Sequence, residues 1–384
     1  MKRSREEEED KGNLLHLPHT KRIREEHSLS SKGCSWVRGS MIGKGGFGSV
    51  FLAYNNKPTS SFKDFPPVMA VKSVEATSCS ELVKEKILLQ IVKDSPFIIR
   101  FYGEDVTVGY KGKIIINLFL EYASGGSLMD LIEKSKASEG VGLVESQVKK
   151  ITESILKGIK RIHEAGYVHC DLKPQNILLV PQENSSATPF VAKIADFGLA
   201  KAAQGLTRSS EVKGTLMYLP PEAVNFGIQD QPSDVWALGC IVLCMLTGKI
   251  YPWDLKSWEG NRELKQKISE DCPEIPNGLS KKAKDFLKQC FMRSPYDRPT
   301  ADMLLGHPFI CSGLGRGGDE DKEELMSVHS VQASSCKLSE PHDEFRASFI
   351  PLLNSSFGET EEVQGKITPV ISDRLSSSAV CSAA

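Results

Sequence analysis

A chain of 384 residues is long enough to bury a substantial core in one large or two ordinary domains, and its 40% hydrophobic and 25% charged side chains are those expected of an ordinary soluble globular protein. Its 48 basic and 49 acidic side chains leave a formal net charge of −1, which excludes an overall field for nucleic acid or anionic lipid, so electrostatic recognition has to be local. The 10 cysteines contain no CxxC pair and no Cys/His set at zinc-ligand spacing, as expected of a reduced protein of the cytoplasm, the nucleus or both.

Residues 1–35, with "REEEED" and "KRIREEH", carry too little apolar material to fold and read as a disordered charged tail. The start "MKRSREEEED" has no apolar segment of the kind a secretory signal needs. Two basic clusters, Lys2-Arg3 and Lys21-Arg22-Ile23-Arg24, are candidates for nuclear import, although a solvated charged tail is the simpler account of them. From Trp36 the pattern changes. "WVRGSMIGKGGFGSVFLAYN" alternates through a glycine turn and predicts a hairpin. "VMAVKSV" at 68–74 is another strand, after a Pro/Ser-rich loop at 57–67. "SELVKEKILLQIV" switches to helical spacing, with Leu82, Ile87, Leu88 and Ile91 as its expected apolar face. "KIIINLFLEY" returns to strand.

Beyond Glu121 helices dominate. "ESQVKKITESILKGIKRIHEAG" sets Val148, Ile151, Ile155, Ile159 and Ile162 at helical steps, with Gly166 just past the end. Further helices follow at "PSDVWALGC" and "SKKAKDFLKQCF". The run "ALGCIVLCMLTG" is too short to span a bilayer and reads as a buried helix face, with Cys240 and Cys244 as small apolar residues. From about residue 311 the chain is again linker-like, with one apolar island, "FRASFIPLLNSSF", near 345–357. The last residues, "CSAA", fit a prenylation box only superficially, because Ser382 is not aliphatic and no polybasic stretch precedes it. The expected organisation is a tail at 1–35, a folded domain at 36–311, and a largely disordered regulatory or docking tail at 312–384. The folded part is α+β. A small antiparallel β-rich lobe with one main helix precedes a larger helical lobe, with a cleft between them.

The residues with chemical potential fall in a fixed order. "GKGGFGSV" spaces Gly43, Gly45 and Gly48 as G-x-G-x-x-G, which lets backbone amides approach phosphates without a Cβ in the way. A dinucleotide-binding fold uses the same spacing but requires a helix afterwards, and here a strand follows. Lys72 ends "AVK" on the next strand, with Glu85 and Glu81 on the following helix as competing counter-ions. "HCDLKPQN" places Asp171, Lys173 and Asn176 in one loop, and "KIADFGLAK" supplies Asp196. Phosphoryl transfer needs a group to orient a hydroxyl and cations to neutralise oxygens. Asp171 suits the first task, Lys173 would offset charge, and Asn176 with Asp196 would hold Mg2+ through hard oxygens.

This ordered set resembles the eukaryotic protein kinases over about residues 37–310. The resemblance extends to "GTLMYLPPE" with Glu222, "SDVWALGC" with Asp234, and "YDRPT" with Arg298, three structural residues of which Glu222 and Arg298 pair by family pattern. It implies an ATP-dependent kinase. Its nucleotide site would comprise Ile42, Gly43, Lys44, Gly45, Gly46, Phe47, Gly48, Ser49, Val50, Ala70, Lys72, Glu85, Glu121, Ala123 and Leu178. It favours Glu85 over Glu81, makes Leu120 the gatekeeper, and stacks Leu89, Phe101, His169 and Phe197 between the lobes. "DLKPQN" with "KGT" resembles serine/threonine kinases, and "EYASGGSL" with "HCDLKPQNIL" resembles the plant MAP kinase kinase kinases, which implies MAP kinase kinases as substrates and partners. Ser127, where arginine-directed kinases often have an acid, argues against arginine-directed substrates. The competing class is a pseudokinase scaffold, against which intact Lys72, Asp171, Asn176 and Asp196 weigh.

Two positions depart from the pattern. "PPE" stands for the usual APE at 220–222, which retention of Glu222 should make tolerable. Cys170 stands where most of the family has an arginine that holds an activation-loop phosphate, and a neutral thiol cannot make that bidentate contact. Lys201 remains a cation there while Glu81 adds repulsion. Phosphates on the candidates Thr207, Ser209 and Ser210 are therefore expected to order the loop less than usual.

Overall fold

The computed structural model describes residues 36–46, 48–56, 63–182, 190–209, 211–254 and 260–311. The expectations for both tails, and those for Phe47 and Ser210, lie outside the described residues. Strand β1 (Trp36–Gly45) turns into β2 (Gly48–Asn55), and β3 (Val68–Glu75) pairs antiparallel with β2. Helix α1 (Ser80–Ile91) then precedes β4 (Phe101–Val108) and β5 (Ile114–Leu120). The five strands form one antiparallel sheet in the order β1-β2-β3-β5-β4. Central β3 is almost entirely buried, and the sheet's core pairs Trp36 edge-on with Phe119 at 5.0 Å between centroids. Strand β4 carries no clean apolar alternation in "FYGEDVTV", because it is an edge strand with a register shift between Phe101 and Gly103.

The expected face of α1 requires correction. Leu82, Glu85, Leu88 and Leu89 are buried, whereas Ile87 is 49% and Ile91 39% exposed. Helical geometry puts 82, 85, 88 and 89 on one stripe, and Glu85 claims the middle of it.

The larger lobe begins with α2 (Leu128–Glu139), capped reciprocally by Ser127 and Asp130, and α3 (Glu145–Glu164). Val148, Ile155, Ile159 and Ile162 are buried along α3, and Ile151 is half-buried. Short strands follow: β6 (Tyr167–Val168), β7 (Ile177–Pro181), β8 (Phe190–Ile194) and β9 (Lys201–Ala202), with β6 paired to β9 and β7 to β8. Helix α4 (Pro221–Phe226) starts with proline at its first position, where a missing amide costs nothing, so the second proline of "PPE" fits a helix start. Helix α5 (Gln231–Thr247) is buried around its whole circumference from Ser233 to Leu246, not on one face alone, because α3, α7 and β6 pack around it. Helices α6 (Asn261–Glu270), α7 (Lys281–Cys290), α8 (Ala301–Leu305) and α9 (Pro308–Cys311) complete the lobe. One apolar cluster runs from Ala70, Leu89 and Leu120 through Ile155 and Ile177 to Trp236 and Phe286, so the two lobes share a core behind the cleft. Among the described residues no helix is long and apolar enough to cross a membrane.

Candidate active site

Lys72 lies on β3 between Val50 of β2 and Leu118 of β5, and pairing on both sides fixes the strand that carries it. Its ammonium is 2.6 Å from Glu85 Oε2 and 2.8 Å from Asp196 Oδ1. Burial alone would lower the lysine's pKa, but the two carboxylates outweigh it and the net shift is upward. Burial pushes the Glu85 carboxyl up, and Lys72 pulls it partly back. Asp196, which burial would also raise, is held below its ordinary value by Lys72. Glu81 instead accepts from the Ser80 hydroxyl at the surface, which leaves Glu85 as the lysine's partner on α1.

Below the cleft, the β6–β7 turn gathers the second cluster. Asp171 Oδ1 accepts from the Thr215 hydroxyl at 2.8 Å, and Oδ2 accepts from Lys173 at 2.8 Å and from the Asn176 amide at 3.2 Å. Asn176 Nδ2 also donates to the Asp171 carbonyl at 2.8 Å, which turns its Oδ1 away as a free acceptor. The Lys173 ammonium also lies 3.0 Å from Thr215 Oγ1. The His169 ring spans the floor, with Nε2 3.1 Å from the Ala195 carbonyl and Nδ1 3.3 Å from the Asp171 amide. Those distances assign a neutral ring with the proton on Nε2. The ring meets Phe197 at 4.9 Å, and Leu89 and Phe101 pack in the same cluster as Phe197.

Two backbone positions in this floor are unusual. Asp196 and Cys170 have φ of 64° and 69°, in the left-handed region that non-glycine residues rarely occupy. At Cys170 the conformation is held by Asp234, whose carboxylate accepts from the His169 amide at 2.9 Å and the Cys170 amide at 3.1 Å and contacts His163 Nε2 at 2.9 Å. Gly214 closes over it from the other side with φ 106°, and a β carbon there would fall 2.2 Å from the Cys170 carbonyl oxygen.

The Cys170 thiol is buried, and burial with the nearby Asp234 pushes its pKa far up, against the opposing pull of Lys201 and Lys213. A thiol held neutral is a poor nucleophile. In the native protein at pH 8, iodoacetamide should therefore modify exposed Cys272 and Cys311 at least ~100-fold faster than Cys170. Peptide mapping after a timed quench measures this; comparable rates at Cys170 would contradict the buried neutral thiol.

The residues expected to form a nucleotide slot come together at the cleft's rear. Ala70 pairs with Leu120, and Val50 and Leu178 pack against the same cluster. Glu121 anchors the connection between lobes rather than pointing into the slot: its amide donates to the Arg100 carbonyl, and its carboxylate pairs with Lys193 at 2.8 Å. Ala123 continues the connection, its carbonyl accepting from Gly126. Gly43, Lys44 and Gly45 pair with Val50, Ser49 and Gly48 respectively, so the glycine loop is the tip of the β1–β2 hairpin, with Ile42 exposed beside it and Gly46 in its turn. Gly48 has φ 133°, and a β carbon there would lie 2.6 Å from Val74 Cγ2, whereas one at Gly45 would meet nothing within 4 Å. An apolar slot, a buried ammonium, a partly exposed carboxylate and an open glycine tip fit a nucleoside triphosphate. Among the described residues no group of three or more His, Cys, Asp or Glu could hold a metal ion. A cation here would take Asp196 and Asn176 Oδ1, completed by phosphate oxygens and water, which is how Mg2+ is commonly held.

The remaining expected residues are structural or peripheral. Glu222 and Arg298 form a buried pair at 2.7 Å. The Thr207 hydroxyl donates to the Gln204 carbonyl and that of Ser209 to the Glu211 carbonyl. Sequence reading gave Thr215 no place in the site, although it bonds Asp171, and gave no role to Gln229, Asp230 or Trp253. Trp253 donates from Nε1 to the Met217 carbonyl at 2.9 Å.

A model of the protein kinase domain matches residues 36–310. Mitogen-activated protein kinase kinase kinase 20 of Arabidopsis thaliana is 43% identical over 297 residues, covering 76% of this chain and 82% of that protein. Mitogen-activated protein kinase kinase kinase 17 of the same plant is 34% identical over 278 residues, 72% of this chain and 69% of that protein. Mitogen-activated protein kinase kinase kinase A of Dictyostelium discoideum is 31% identical over 295 residues, 74% of this chain and 29% of the longer relative.

Proposed function

Because the chain belongs to the protein kinase family, as a serine/threonine kinase of the mitogen-activated protein kinase kinase kinase type, we propose that it transfers the γ-phosphoryl group of Mg2+-bound ATP to serine or threonine hydroxyls of MAP kinase kinases. The observation that supports this reading is the convergence of two polar clusters on one cleft: Lys72 with Glu85 and Asp196, and Asp171 with Lys173, Thr215 and Asn176.

Lys72, steadied by Glu85, would bind phosphate oxygens of the nucleotide, and Asp196 with Asn176 would hold a divalent cation, which would supply charge neutralisation to those oxygens. Asp171 accepts the hydrogen bond of the incoming hydroxyl and takes its proton late, because the transition state is loose and asks mainly for alignment. Thr215, Lys173 and Asn176 hold that carboxylate in one orientation, so the hydroxyl meets a preset acceptor. Lys173 also stands where negative charge grows on the departing phosphoryl group. Val50, Ala70 and Leu178 sandwich the adenine, and the glycine hairpin covers the phosphates and excludes water.

The substrate class is tested with a panel of catalytically dead MAP kinase kinases against a generic basic protein. At least one panel member should be phosphorylated with a kcat/KM about tenfold or more above the generic substrate. Activity should vanish on chelation and return with Mg2+. Equal rates across the panel and the generic protein would defeat the substrate assignment while leaving the kinase assignment intact.

A further inference from the structure

We propose that Gln229 and Asp230, at the start of the buried helix α5, hold the activation segment (residues 196–222) in its working position in place of a phosphate. The proposal rests on the kinase reading above and deepens it.

A kinase activation segment needs an anchor, and in phosphate-switched segments a phosphate paired with cations supplies it. The position at which the family resemblance expects such a cation holds Cys170, a buried thiol kept neutral by its surroundings. Of the neighbouring cations, Lys213 lies in electrostatic reach of Glu81, and the buried Lys201 ammonium makes no hydrogen bond. Yet the described part of the segment is bonded along its length. Asp230 Oδ2 accepts from the Gln204 amide at 2.7 Å and the Leu206 amide at 3.2 Å, and the Gly205 amide also faces the carboxylate. Gly205 and Leu206 both take left-handed φ, 72° and 60°, which turns these consecutive amides inward. Such a nest of N–H groups is an anion site, and here a side-chain carboxylate of the same chain fills it.

Gln229 forms the second anchor. It is 1% exposed; its Oε1 accepts from the Lys213 amide at 3.1 Å and its Nε2 donates to the Lys213 carbonyl at 2.7 Å. Between these anchors, Ser209 donates its amide to the Gly227 carbonyl at 2.8 Å, and Arg208 bridges Ile228. The segment's inner end is stitched by Val168 with Lys201 and by the Ala203 amide to the Gly166 carbonyl, and its outer end by Thr215 on Asp171.

The location explains how the anchor reaches the chemistry. Asp230 Oδ1 caps α5 through the Gln231 amide at 2.7 Å. One turn later on the same helix, Asp234 holds the backbone of His169 and Cys170. The start of α5 thus fixes the catalytic loop and the activation segment against one rigid, buried body. The charge that fills the nest is permanent and needs no modifying enzyme. A phosphate on Thr207 would add negative charge to the turn that already wraps a carboxylate, which is unfavourable. Gln229 and Asp230 are positioning residues: neither touches the reacting atoms.

The test uses the full-length protein. Asp230→Ser keeps a side chain that caps α5 but removes the second oxygen that fills the nest. Gln229→Met keeps volume and removes both bonds to Lys213. Each variant should lose about tenfold in kcat/KM for the protein substrate with KM for ATP within about twofold, and amide exchange at 204–206 or at 213 should rise about tenfold. Asp230→Asn, with one acceptor left to share, should fall between serine and wild type. Phosphatase-treated wild type should keep at least about half its activity, because the anchor is built in. Loss of about tenfold or more on phosphatase treatment overturns the proposal whatever the variants do, and so do wild-type rates and exchange in both variants. If Asp230→Ser fails to fold, Gln229→Met decides. An Asp171→Asn control as active as wild type would instead bring down the kinase reading, so the two failures are distinguishable.

Discussion

Asp171→Asn should lower kcat about 1000-fold, within the range expected when a positioned acid–base group is removed. The substitution keeps the size of the side chain and the oxygen that faces Thr215, so the melting temperature should move by only a few degrees. What it removes is the carboxylate that pairs with Lys173 at 2.8 Å and to which the proposed function assigns the substrate hydroxyl. Lys72→Arg should cost about 100-fold or more and raise KM for ATP, because a planar guanidinium cannot sit as a point charge between Glu85 and Asp196. Steady-state kinetics with parallel melting curves measures both, and either variant within tenfold of wild type would refute its assigned role.

The largest loss of stability is expected at Glu222 and Arg298. Both are about as buried as the apolar core, at 4% and 5% exposure. The guanidinium makes two parallel contacts with the carboxylate, 2.7 and 3.1 Å, and donates to the Pro232 carbonyl at 2.7 Å and the Met292 carbonyl at 2.8 Å. It also stacks 5.2 Å above the Trp236 ring on α5. Glu222→Ala strands a buried cation, which costs about 3–5 kcal/mol. For a domain of this size that corresponds to a fall of roughly 10 °C in Tm. The apolar double replacement Glu222→Leu with Arg298→Met should recover part of the loss, since no charge is then left unpaired. Calorimetry decides, and a single-variant loss below about 1 kcal/mol would mean that solvent or another group takes over the pairing.

Much of this was legible in local pattern. The hairpin shows its glycine turn and α3 repeats its isoleucines at helical steps on a buried face, while β3 and β5 read as short, mostly apolar runs because they lie largely buried inside the sheet. Where the inward face carries function, pattern misleads: α1 buries Glu85 and exposes Ile87 and Ile91, since only the glutamate reaches Lys72. Strand β4 went unread because an edge strand interrupted at Gly103 needs no alternation. The polar cluster of the candidate site was legible because Asp171, Lys173 and Asn176 share one loop whose spacing is itself the signal. Gln229 and Asp230 were not, since their partners lie 16 and 26 residues away and a glutamine before a helix cap carries no chemical signature of its own. The one local cue was Asp230 followed by Pro232, an N-cap before a first-turn proline, and it speaks to the helix rather than to the segment it holds.

Whether this cleft transfers phosphate is answered by incubating the full-length protein with γ-labelled ATP, Mg2+ and a catalytically dead MAP kinase kinase, followed by acid hydrolysis and separation of phosphoamino acids. Label should appear in phosphoserine or phosphothreonine and not phosphotyrosine, at a rate about 1000-fold above that of the Asp171→Asn protein in the same reaction. Equal label with wild type and Asp171→Asn would instead make the chain a scaffold that keeps a kinase's shape without its chemistry.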